Sequence, residues 1–451
     1  SRCYRLPGHP ERVVRRHLGP RECCWSRDDP DAAPRAGCAE RPEFVASGGR
    51  GRRRPVAADV PKRASRLVVA AMTSKRQLVR GLGQLEATTL VVGGIIGTTI
   101  FLVTSEVAAT VGSPVLVLVT WLVAGLLAGA AALCFAELSA AIPETGGTYV
   151  FLKRAYGSDL VGFGFAWMMC FTYGPGATAV VAIMAATFLL PVLQALGLIS
   201  EGSVAVTAIL IIAVLTALNA SGVRRGGLAQ NVITFVKVSL IIAVIIMPLV
   251  LAGPQFERLV SASVQSTGSF DALQNVGTAM ILCLFSFSGA YFVTHVAEEV
   301  REPEKTIPRA IVVGFLIVLA LYLSINVAYL VTLPFDEVVQ SERIAADMMG
   351  SVLGERGALV TAFVIFCSAI GALNTQLLSY PRLPFALARD GYLFRGIAQV
   401  SRRSRAPANA IVLVGGLASI FALTGSYSEI LSFVAFVSHF FICLAVLAVI
   451  M

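Results

Sequence analysis

The chain has 451 residues, 56% apolar and only 14% charged, with a mean hydropathy of +0.77. That composition excludes a soluble globule with a large core and points to an integral membrane protein. The net charge of +9 does not mark a nucleic-acid partner, because residues 1–71 hold 16 Lys/Arg against 8 Asp/Glu while residues 72–451 hold 20 against 19.

Residues 1–71 are rich in Arg, Pro, Gly and Ala and show no sustained apolar period, so they are expected to be a disordered leader. Eight acidic residues argue against a transit peptide, and Leu67 to Met72 is too short for a signal-peptide core. Met72, followed by Thr-Ser-Lys-Arg, is expected to be the natural start of a transporter core over 72–451, with the leader an upstream extension.

A spanning helix needs roughly 20 apolar residues. Uncharged runs predict spans near 84–107, 113–136, 160–190, 204–219, 231–251, 272–296, 310–333, 358–380, 408–423 and 430–450, ten in all. With the N-terminus inside, the inner loops carry Lys153 and Arg154, Arg224 and Arg225, Arg301, Lys305 and Arg309, then Arg389 through Arg405. The outer loops carry only Arg258, Arg343 and Arg356, an asymmetry that follows the positive-inside rule.

The first span reads V-V-G-G-I-I-G-T-T-I-F from Val91 to Phe101. Glycine costs about 1 kcal/mol relative to alanine within a helix. Gly93, Gly94 and Gly97 therefore predict a helix that breaks or is closely approached, although Gly93 and Gly97 also form a G-x-x-x-G packing pair. Five spans later, L-F-S-F-S-G-A-Y from Leu284 to Tyr291 interrupts the sixth span in the corresponding place, with Gly289 as its break. Matching interruptions in two halves are the signature of a five-plus-five inverted repeat with a midplane substrate site.

A broken helix frees N–H and C=O groups that lipid cannot satisfy. An amino acid zwitterion fits that need. Its carboxylate would accept from the N–H groups of Gly97, Thr98 and Thr99, favoured by the helix dipole. Its ammonium would donate to the carbonyls of Ile95, Phe285, Ser286 and Ser288, and Phe285 and Phe287 are candidates to close over the substrate, though ordinary packing is the plainer role for either. Lys237 is a lone cation in the otherwise uncharged fifth span; an unpaired ammonium there costs about 3 kcal/mol or more. It is expected either to brace the first span as a bound sodium would, to titrate, or to snorkel inward. His295 and His439 are expected to be structural hydrogen-bonders, and Glu137, Glu144, Glu298 and Glu299 solvated cap or gate groups. There is no H-E-x-x-H, nucleophile elbow, phosphate loop, C-x-x-C pair or cofactor motif, so neither catalysis nor a metal is expected.

These residues resemble the amino acid permeases of the amino acid-polyamine-organocation (APC) superfamily over about 75–451. The resemblance is carried by G-G-I-I-G-T-T-I-F, by A-E-L-S-A-A-I-P-E-T-G-G-T-Y-V-F-L from Ala136, by F-S-F-S-G, by E-E-V-R-E-P-E-K-T-I-P-R-A-I from Glu298, and by N-T-Q-L-L-S-Y-P-R-L-P-F-A-L-A-R-D-G from Asn374. It implies an all-α, leucine-transporter-like fold with broken helices 1 and 6. It also implies carboxylate binding at Thr98 and Thr99, amine binding at Ile95, Phe285 and Ser288, and Lys237 in place of a sodium ion. The expected function is sodium-independent amino acid transport across the plasma membrane by alternating access, proton-linked or by exchange, with neutral L-amino acids favoured over cationic ones or polyamines; a channel or scaffold is the alternative of another class. Family members usually have twelve spans, so the final pair is expected to be absent here. Thr99 stands where glycine is usual, Ala290 where some relatives carry an aromatic, and Pro384 removes a helix donor. No cysteine lies within 191–203, so no disulfide-linked heavy subunit is expected.

Overall fold

The computed structural model describes residues 78–261, 269–424 and 439–451. The leader expected over 1–71 lies outside the described residues, as does the first part of the tenth expected span. Among the described residues the chain is helical, with one isolated parallel bridge between Leu82 and Val300. In lipid the apolar runs satisfy their own N–H and C=O groups only by becoming helices.

The first run yields two pieces, α1 (Gln84–Ile95) and α2 (Val103–Val111), joined by a 3₁₀ turn at Thr99–Phe101. Next come α3 (Pro114–Ala141) and the short α4 (Thr148–Ala155). The helices α5 (Asp159–Met168) and α6 (Gly174–Ala195) follow, continuous through a π-turn at Met169–Tyr173. Then come α7 (Val204–Ala220), α8 (Val223–Leu251) and α9 (Ser269–Ser286). The chain goes on through α10 (Phe292–His295), α11 (Pro303–Thr332), α12 (Phe335–Gln340) and α13 (Ile344–Leu353). It continues with α14 (Glu355–Ser379), α15 (Arg382–Arg389) and α16 (Ala408–Thr424), and residues 439–447 are again helical. Among the described residues, five stretches are long and apolar enough to cross a bilayer: α3, α5 with α6, α8, α11, and α14 with α15. The protein is a multi-pass, all-helical membrane protein.

Small residues set how closely the helices pack. A side chain at Gly125 would come within 2.4 Å of Leu319, and one at Gly129 within 3.0 Å of Phe315, so α3 lies tight against α11. Leu126 and Leu133 of α3 point outward, as an apolar face toward lipid requires. The half-helix α1 sits in the middle of the bundle, against α8, α11 and α14. The two interrupted runs therefore meet at its centre.

Candidate functional site

The helix α1 stops where the sequence turns to β-branched residues around one glycine, I-I-G-T-T, all weaker helix formers than alanine. Ile96 adopts extended geometry and makes the last helical bond, to Val92 O. Gly93 and Gly94 lie in the final helical turn rather than in the gap, and their role there is close approach. A side chain at Gly93 would fall 1.9 Å from Gln230 Nε2, and one at Gly94 would fall 3.1 Å from the carbonyl of Gly289. Gly289, in turn, has φ +113°, and a Cβ there would sit 2.5 Å from the Gly94 oxygen. The backbones of the two interrupted helices thus touch, and only glycine fits on both sides. Gly97 differs: nothing lies within 4 Å of the position its Cβ would take.

Four carbonyls at the break, those of Gly93, Ile95, Ile96 and Gly97, receive donors from three other helices. Lys237 of α8, fully buried, donates to Ile96 O at 2.7 Å and to Gly93 O at 3.3 Å. Tyr322 of α11 donates to Ile95 O at 3.2 Å and lies 3.3 Å from Ser286 O in the second break. Ser368 of α14 donates to Gly97 O at 2.8 Å. Gly371, one turn along α14, leaves room for the lysine, since a Cβ would sit 3.0 Å from Nζ. By contrast, among the described residues no acceptor meets the N–H groups of Gly97, Thr98 or Thr99, which are only partly buried. The gap therefore has four of its carbonyls engaged and the N–H groups of residues 97–99 free, a polarity suited to an anionic group.

In the second break, Ser288 N donates to Phe285 O at 3.1 Å, and Ser286 Oγ turns back to Leu282 O at 3.1 Å. The Phe285 ring is 37% exposed and lies 6.0 Å from the His439 ring. Phe287 goes the other way: it is buried against Trp121, Phe315 and Tyr322, so of the two phenylalanines considered as covers it is a packing residue.

Beneath α1, a polar chain runs through the bundle. Asn219 donates to Asn374 at 2.9 Å, Asn374 to Gln230 at 2.7 Å, and Gln230 to Thr234 at 3.1 Å; Thr89 joins Asn231 at 2.6 Å. Asn219 Oδ1, at the end of the chain, is buried without a partner; the internal bonds hold the rest in a low-dielectric interior. His295 bonds Ser379 at 2.7 Å, consistent with a structural role.

One end of the bundle is closed by ion pairs. Lys153 and Tyr149 of α4 both donate to Asp390, at 2.8 and 2.7 Å, and Arg389 donates to both Glu298 oxygens at 2.8 Å. Arg154 pairs with Glu144. They border a polar cavity of about 420 Å³. Partial burial alone would raise the Asp390 pKa, yet donation from Lys153 and Tyr149 holds it below the usual carboxylate range. Glu299 corrects the expectation of a solvated group: it is fully buried in a two-point pair with Arg382, at 2.8 and 3.0 Å. Its backbone oxygen accepts from Gly81 and Leu82, pinning the entry to α1.

Sequence reasoning missed Tyr322, Ser368, Gln230, Asn374 and Arg382. The available signal was a polar group inside an apolar run, as in L-A-L-Y-L-S-I-N from Leu319 and I-F-C-S-A-I from Ile365.

The family model of the amino acid permeases matches residues 82–451. The human b(0,+)-type amino acid transporter 1 is 28% identical over 377 residues, covering 83% of this chain and 76% of the relative. The human cystine/glutamate transporter is 28% identical over 82% of this chain and 74% of its own length. A serine/threonine exchanger of Bacillus subtilis is 31% identical over 382 residues, 84% of each chain.

Proposed function

Because the chain belongs to the amino acid permease family, in the APC superfamily, we propose that it is a sodium-independent carrier of neutral L-amino acids working by alternating access. In this reading ten spans form a five-plus-five inverted repeat in the plasma membrane, with a cytoplasmic N-terminus. The substrate carboxylate lies on the N–H groups of Gly97, Thr98 and Thr99, and its ammonium on the carbonyls of Ile95, Phe285, Ser286 and Ser288. The observation that carries the proposal is the buried Lys237 ammonium bonded to Ile96 O and Gly93 O at the broken helix. A cation fixed by the chain itself removes the need for a bound metal ion to hold the break. Among the described residues no acidic side chain stands beside the gap to pair with a cationic substrate side chain.

With this orientation the pairs of Lys153, Arg389 and Arg382 lie on the cytoplasmic side and hold it shut, so the reaction step they control is release inward. The absence of cysteine over 191–203 supports a carrier without a disulfide-linked heavy subunit.

The test is uptake of labelled neutral amino acids into proteoliposomes holding the purified protein. Saturable, stereoselective uptake that survives replacement of sodium by choline is expected. Stronger competition by arginine than by any neutral amino acid would shift the substrate class to cationic, and linear, non-saturating flux would replace a carrier with a channel.

A further inference from the structure

The Tyr322 hydroxyl stands where the site proposed above would receive the substrate ammonium. It lies 3.2 Å from Ile95 O and 3.3 Å from Ser286 O, one carbonyl from each interrupted helix. Both residues are nearly fully buried, at 3% and 2% exposure. A phenol has a single proton, and O–H···O bonds ordinarily run about 2.7–2.8 Å. One proton shared over two longer contacts engages both carbonyls weakly. An ammonium, with three protons and a charge, wins that competition. The phenol is itself held in place. Its ring meets Trp121 edge-on at 5.6 Å and Phe287 at 5.1 Å, and the Thr99 hydroxyl lies within hydrogen-bonding reach of its oxygen. Thr99 stands in the carboxylate-binding turn, so one hydroxyl pair links the two ends of the site.

We propose that Tyr322 is a positioning residue that substitutes for the substrate ammonium in the empty carrier and so sets how much net transport accompanies exchange. This rests on the substrate site proposed above. To change its facing while empty, a carrier must keep its broken-helix carbonyls out of water, and a buried carbonyl without a donor is costly. A carrier with no internal donor reorients only when loaded and therefore exchanges. With a hydroxyl supplying a partial bond, the empty protein also returns, and net flux follows. Tyr322 is neither consumed nor ionised in the cycle; its hydroxyl keeps its proton throughout.

The experiment uses the purified full chain in proteoliposomes loaded with whichever of the twenty L-amino acids most raises its melting temperature, in labelled form. Efflux is followed into amino-acid-free buffer, which reads net transport, and into buffer with excess unlabelled amino acid, which reads exchange. Wild type is expected to show both. In Tyr322→Phe the ratio of net efflux to exchange is expected to fall about tenfold, the factor set by losing one buried hydrogen bond in the empty state. The rise in melting temperature on adding substrate is expected to be larger than in wild type, since the empty form alone is weakened. An unchanged ratio, an equal fall in both modes, or a wild type that exchanges without net efflux overturns the proposal. If Tyr322→Phe is not recovered folded, Thr99→Val removes the group holding the phenol and should lower the same ratio about threefold; no change there also overturns it. A wild-type protein that carries no amino acid in either mode refutes the substrate site itself, and the role of Tyr322 falls with it.

Discussion

Replacing Lys237 by methionine isolates its charge, because the side chain keeps most of its length and its fit against Gly371. The substitution removes the bonds to Ile96 O at 2.7 Å and Gly93 O at 3.3 Å. Hydrogen bonds from a charged donor contribute about 1.5–3 kcal/mol each, so the gross loss is roughly 3–6 kcal/mol. Opposing it is the desolvation of a fully buried ammonium, several kcal/mol that methionine no longer incurs. The two terms are of equal size, so the melting temperature should move by only a few degrees. Transport has no such cancellation: the break at residues 96–98 loses the donor that fixes its shape, and Gly97, Thr98 and Thr99 lose their common orientation. Uptake of labelled neutral amino acids is expected to fall at least about tenfold, equivalent to 1.4 kcal/mol, with the protein still folded by size-exclusion chromatography. Wild-type uptake by Lys237→Met or Lys237→Ala would refute the role of the lysine. A loss of uptake matched by loss of folded protein would refute the claim that stability and transport separate.

Breaking the buried pair with Glu299→Gln or Arg382→Leu should cost about 3–5 kcal/mol, read as a lower melting temperature and yield, while replacing both by leucine together should recover most of it. Gly289→Ala should be poorly tolerated, since it combines a left-handed φ with a 2.5 Å contact to Gly94 O and costs about 1–3 kcal/mol from the backbone alone. Gly97→Ala, placed in open space, should fold normally and alter substrate affinity instead, as thermal shifts with added amino acid would report. Asp390 has a depressed pKa, so its contribution is present above the unfolded carboxyl value of about 3.9 and is lost as pH falls through the folded value. The melting-temperature advantage of wild type over Asp390→Asn should therefore hold from pH 7 down to about 5, begin to shrink near the unfolded value of about 3.9 and vanish only below the folded value; an advantage unchanged at pH 3 would show that Lys153 and Tyr149 do not depend on that charge.

Membrane residence, the helical class and the place of both interruptions were legible in the residue order, because each depends on local composition: a run of about 20 apolar residues has no alternative in lipid, and glycines and β-branched residues within one weaken it there. The unusual cost of Lys237 was legible for the same reason. What the residue order left undecided was direction. The glycines at 93, 94 and 97 read as a break, while Gly93 with Gly97 reads equally well as a packing motif, and only the distances of Gly93 and Gly94 to Gln230 and Gly289 show that these two admit neighbours while the backbone parts at Ile96. Phe285 and Phe287 are two residues apart on one strand of sequence, yet one is partly exposed and the other sealed against Trp121, a difference made by which helices surround them. Glu299 and Arg382, 83 residues apart, become a buried pair, and Tyr322 becomes the link between two breaks, through contacts that no local pattern encodes. Burial and hydrogen-bond partners are properties of the assembled bundle, and it is these, rather than the glycine motif, that separate the closed carbonyl side of the gap from its open N–H side.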